Sequence, residues 1–87
     1  MGLYSIDFRE AFSKLLGKAG ASCYMVSQYS HLDEAYLSRL RRGEKDNPSP
    51  ETIVKISLAL VHLSADISLY DIEGLFKAVG RSMLLKR

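Results

Sequence analysis

The amino-acid sequence predicts an all-α domain of five helices with short connections. Leu and Ala supply 20 of the 87 residues, against 10 for Ile, Val and Thr, a balance that favours helix over strand. The two prolines, Pro48 and Pro50, fall in one place and break the chain once. Five segments place apolar residues at spacings of three and four behind a Ser or an Asp, the sequence signature of capped amphipathic helices. With no internal repeat and no low-complexity segment, residues 1–87 read as a single domain.

The first helix is expected to start at Ser5 as its cap, with Phe8, Phe12, Leu15 and Ala19 on one stripe and Gly20 at the left-handed stop. Ser22 caps a short second helix, 23–30, that buries Val26 and sets the small Ser27 beside it. Asp33 caps the third, where Leu32 and Leu37 form a hydrophobic staple across the cap, Leu40 continues the inner face and Gly43 ends the helix. Residues 43–48 are a polar loop. Ser49 caps the fourth helix, with Pro50 at the first helical position, Glu51 in the first turn, and Ile53, Ile56 and Leu60 facing inward. Ser68 caps the fifth, with Asp71 three residues on and Ile67 and Ile72 as the staple; Leu69, Ile72, Phe76, Val79 and Met83 then step by three and four.

A chain of this length buries only about 60–65% of the surface its unfolded form exposes, which leaves little room for a deep catalytic pocket. Apolar residues make up 47% and charged residues 25%, the composition of a folded globule. The single cysteine, Cys23, excludes an internal disulfide, and the chain reads as cytoplasmic. The longest apolar run is Leu58-Ala59-Leu60-Val61, far short of the ~20 residues that span a bilayer. The first residues hold neither a basic stretch nor a long apolar core, so no signal peptide is expected. A net charge of +2 permits a nucleic-acid partner without demanding one.

The informative stretch runs from Ser22 to Gly43. Two short helices meet at a tight connection. The small Ser27 allows close crossing, and Val26, Leu32, Leu37 and Leu40 lock the angle. The outer face of the second of these helices is then free to enter a major groove. Residues 22–43, followed by 47–60, resemble Cro/phage-repressor-type helix-turn-helix regulators of the xenobiotic-response-element family. The most specific parts are Leu37-Ser38-Arg39-Leu40-Arg41-Arg42-Gly43 and Asn47-Pro48-Ser49, and the likeness covers about residues 6–63. It implies a lambda-repressor-like bundle of five helices that binds double-stranded operator DNA as a dimer. By position it implies that Glu34, Ala35, Tyr36, Ser38 and Arg39 read bases, and that Cys23, Arg42, Lys45 and Asn47 sit at phosphates.

The chemistry of those residues agrees. An arginine fork matches guanine O6 and N7, alanine touches a thymine methyl, and glutamate accepts from the cytosine amino group. The sequence also departs from the family. Cys23 stands where glutamine is common, and a thiol is a short, weak donor. His31 stands where glycine is common and must take the turn geometry at some cost. The loop 43–48 is one residue longer than the commonest form. Within 33–46, Arg39, Arg41, Arg42 and Lys45 are offset by Asp33, Glu34, Glu44 and Asp46, which dilutes the counterion-release term.

Plainer readings stand beside these. Arg41 is read as a solvated complement to its helix dipole. Tyr24, Tyr29 and Tyr36 could reach phosphates or serve as half-buried packing. Cys23 lies at a helix N-terminus, where thiol reactivity rises, yet an inert thiol is the simpler reading. Cys23, His31 and His62 do not form a metal-ligand spacing. Neither histidine has an obvious nucleophile and orienting acid nearby, so no enzyme, metal or cofactor is expected.

The expected function is a sequence-specific DNA-binding regulator, a repressor acting as a dimer on a palindrome. Leu69, Ile72, Phe76, Val79 and Met83, on the fifth helix and tail at about 68–87, would supply the dimer contact. The alternative is a helix-turn-helix-fold protein-interaction module, antitoxin-like in binding a partner protein, with weak or no DNA binding. No membrane partner is expected.

Overall fold

A computed structural model describes residues 7–80. These residues form five helices: α1 (Phe8–Ala19), α2 (Cys23–Ser30), α3 (Glu34–Arg42), α4 (Pro50–Leu63) and α5 (Leu69–Lys77). There is no strand among the described residues. The expected all-α five-helix bundle is what forms.

The inward stripes meet in one core. Phe12, Val26, Leu37, Leu40, Ile53, Ile56, Leu60 and Leu75 are fully buried, with Phe8, Leu15 and Leu16 nearly so. Burial of each such side chain contributes about 1.5–3 kcal/mol. The Phe8 and Phe12 rings lie 5.6 Å apart in a tilted pair, within the range in which aromatic rings attract. α3 packs on α1 and α2, α2 on α4, and α5 on both α1 and α4.

Four of the five expected caps form. Ser22 accepts from the Met25 amide at 3.1 Å, Asp33 from Tyr36 at 3.1 Å and Ser49 from Thr52 at 3.2 Å. Ser68 accepts from Asp71 at 3.3 Å, while the Asp71 carboxylate accepts from the Ser68 amide at 2.8 Å, so the capping box is complete. The first cap is Asp7, in place of the expected Ser5. Its carboxylate accepts from the Glu10 amide at 2.9 Å. The cap has to precede the first inward residue, and that residue is Phe8, buried at the first helical position.

α1 and α5 are tied by Lys18, whose ammonium donates to Asp71 at 2.8 Å. That bond, with the bonds from Ser68, holds the Asp71 carboxyl below its ordinary range. α5 ends at Lys77, with Ala78 as its cap and Gly80 at φ 76°. The apolar stepping through Val79 therefore outruns the helix by two residues. Met83, the last member of the series, lies outside the described residues.

The turn between α2 and α3 is His31-Leu32-Asp33. His31 closes α2 at φ 65°, the only left-handed residue other than glycine among those described. A side chain with Cβ pays about 1–2 kcal/mol there, and glycine returns part of that gain as unfolded-state entropy. His31→Gly is therefore expected to raise stability by about 0.5–1 kcal/mol, read as a later urea midpoint at unchanged slope. An earlier midpoint would show that the imidazole itself holds the turn.

Candidate nucleic-acid interface

α3 is set by its inner face. Leu37 and Leu40 are fully buried, and Leu32 packs against the same core from the turn. Buried Ser27 donates to the Tyr24 carbonyl at 2.7 Å, so its hydroxyl is satisfied within α2. These contacts leave Glu34, Ala35, Ser38, Arg39 and Arg42 together on the outward side, where they line one shallow concavity. Four of the five expected base-reading residues are thus neighbours in one concavity, with Glu34, Ala35 and Arg39 exposed and Ser38 half-buried.

Tyr36 is the exception. It is half-buried and packs against the core beside Leu37. At 100° per residue, position 36 falls at the edge of the stripe made by 37 and 40. The aromatic body serves packing, and a base-reading role does not suit that place.

Of the cations around α3, Arg42 is engaged. Its Nε lies 2.9 Å from Glu44 Oε2 and its Nη2 3.3 Å from Oε1, a two-pronged contact. A third donor goes to the Ser38 hydroxyl. Glu44 is consequently held below the usual carboxylate range, and Arg42 is raised further. Arg39, Arg41 and Lys45 make no ion pair among the described residues. Asp33 is occupied as the α3 cap. The balance of four cations and four anions in the sequence is therefore uneven in space: one anion is spent on backbone and another on Arg42.

A second groove, of about 440 Å³, runs between α1, α2 and the side of α3. Ser22, Cys23 and Tyr24 form one wall; Glu34, Ser38 and Arg41 form the other. Cys23 is half-buried at the first position of α2. Burial pushes its thiol above the ordinary value, against the pull of Arg41. Arg41 lies on the α2 side of the recognition surface, beside the expected phosphate position at Cys23. Its sequence place at the helix end had pointed to the dipole alone.

Arg9 was not legible as a site residue. Its side chain crosses Gly43 so closely that a β-carbon there would sit 2.9 Å from Arg9 Cδ. Its guanidinium is half-exposed, 3.6 Å from Asp7. The α1–α3 packing brings this cation to the start of the loop that carries Lys45 and Asn47, both exposed. Buried Pro48 anchors the far end of that loop.

Much of the fifth-helix stripe expected at a dimer contact is covered within the chain itself. Ile72 and Phe76 are 7% exposed and turn into the bundle, and Val79 is half-buried against the same core. Only Leu69, at 60%, is open. α5 is short and lies across α1 and α4, so its own core consumes most of the stripe.

Among the described residues no group of His, Cys, Asp and Glu could hold a metal ion, and no helix is long and apolar enough to cross a membrane. Comparisons with protein families, with curated proteins and with solved structures found no match.

Proposed function

We propose that the protein is a sequence-specific double-stranded DNA-binding regulator that inserts α3 in the major groove and represses by occupying its operator as a dimer. The observation that carries this reading is the outward side of α3, where exposed Glu34, Ala35 and Arg39 share one concavity with half-buried Ser38, beside Arg41, Arg42 and Lys45. Arg39 and Glu34 are the base readers, for guanine and for the cytosine amino group respectively. Arg41, Arg42, Lys45, Asn47 and Arg9 flank them at phosphates. The mechanism is passive and needs no catalytic group or cofactor. A two-fold dimer would read half-sites about 34 Å apart. Selection of binding sites from random duplexes tests this reading: a palindromic consensus supports it, and the absence of enrichment overturns it.

Glu44 tunes the same surface. It occupies the guanidinium that a phosphate would take, so DNA must displace it. Glu44→Gln is expected to tighten binding to random duplex DNA and, by freeing Arg42 on each copy of the dimer, to steepen the log–log salt dependence by about two units. Fluorescence anisotropy across a salt series reads both, and unchanged affinity would mean that Arg42 takes no part in binding.

The second reading, a protein-interaction module with this fold, draws its support from Glu34 at the first position of α3 and from the Arg42–Glu44 pair. It predicts no duplex binding even at low salt.

A further inference from the structure

α4 carries an apolar ridge that its own bundle leaves uncovered. Val54, Leu58 and Val61 step by four and three along one side and are 44%, 58% and 49% exposed. These three side chains are also the α4 wall of a groove of about 260 Å³ between α4 and α5. Leu69 forms its outer wall, and Ile72 and Phe76 contribute their remaining exposed edges. The only polar lining group, the Ser57 hydroxyl, donates to the Ile53 carbonyl at 2.7 Å and offers nothing to a polar ligand.

We propose that this α4–α5 face is covered by the same face of a second copy of the chain, the ridge of each copy seated in the groove of the other. Three observations favour this occupant. A two-fold contact requires one patch to be its own complement, and here ridge and groove belong to one patch. No charged side chain lines the groove, and Glu51 and Lys55 on α4 pair with each other at 3.7 Å, so charge complementarity does not call for a nucleic acid or a charged protein. The face also leaves α3 free. α4 packs on α1, α2 and α5, α3 packs on α1 and α2, and none of the base-reading residues of α3 lines the α4–α5 groove. A second copy can therefore dock without covering either recognition surface. The inference deepens the regulator reading, on which its biological sense rests, by moving the dimer contact from the fifth-helix stripe to the outer side of α4.

The test is the mass of the full chain in solution without DNA, by light scattering at high micromolar concentration. The wild type gives about twice the 9.7 kDa chain mass. Leu58→Glu and Val61→Lys each reduce it to one chain mass with unchanged helicity by circular dichroism, because both positions are open in the single chain. Met25→Glu, on α2, leaves the mass doubled. A wild-type monomer, or a dimer that survives both substitutions, overturns the proposal. A wild-type monomer is also the result if residues 81–87 or a different protein cover the groove. Because no DNA is present, failure here is separate from failure of the regulator reading: a monomer that binds duplex sinks only the interface, and a dimer that never binds duplex sinks only the function.

Discussion

Arg39→Ala is expected to weaken binding at the selected operator by about 1–3 kcal/mol, roughly 5- to 150-fold, and to relax preference at one base pair of each half-site. Arg39 is exposed on α3 and unpaired among the described residues, and it shares its concavity with Glu34, Ala35 and Ser38. Nothing in the fold depends on its side chain, so the loss should appear in binding and leave the melting temperature unchanged. A phosphate contact behaves differently. Arg41→Ala should weaken operator and random duplex alike and, by removing one contact from each copy of the dimer, make the salt slope shallower by about two units. Titration of the operator and a scrambled duplex with both variants separates the two roles. Equal losses on both duplexes for Arg39→Ala would move it from the bases to the backbone.

Leu37→Ala should produce the largest loss of stability, about 2–5 kcal/mol. A domain of this size holds only about 4–13 kcal/mol in total, so the variant approaches the edge of folding. Leu37 is fully buried at the fourth position of α3 and packs across the Asp33 cap toward Leu32. Its removal opens a cavity under α3 and unlocks the angle between α2 and α3. Tyr24→Ala, at a side chain 55% exposed on α2, is the control and should stay within about 0.5 kcal/mol of the wild type. Thermal melts should show a fall of at least about 8 °C for Leu37→Ala. A smaller shift would mean that the neighbouring side chains close the cavity.

The helices were legible because their signals are local. A cap reaches three residues, a staple five, and a stripe repeats every three or four, so Ser22, Asp33, Ser49 and Ser68 could be placed from the sequence alone. The first cap was misplaced at Ser5 because two oxygen-bearing residues precede Phe8, and only the inward turn of Phe8 selects Asp7. What depends on chain crossings was not legible. Arg9 reaches Gly43 only because α1 packs on α3. Arg41 meets the start of α2 across a groove rather than along its own helix. The stripe of α5 resembled an outer seam, but the shortness of α5 and its place across α1 and α4 turn Ile72 and Phe76 inward. The surplus apolar surface belongs to Leu58 and Val61 of α4 instead, residues that the inward series Ile53, Ile56 and Leu60 passes over.

The central claim is that α3 and the cations around it bind duplex DNA, and a salt series with duplex DNA tests it most directly. With Arg42 engaged by Glu44, Arg9, Arg41 and Lys45 on each copy of a dimer offer about six phosphate contacts, which predicts log affinity falling with log salt at a slope of about −5. Glu44→Gln should steepen that slope and Arg41→Ala should flatten it. Failure of the wild-type protein to bind any duplex at the lowest salt would contradict the account and leave the interaction module as the reading of this fold.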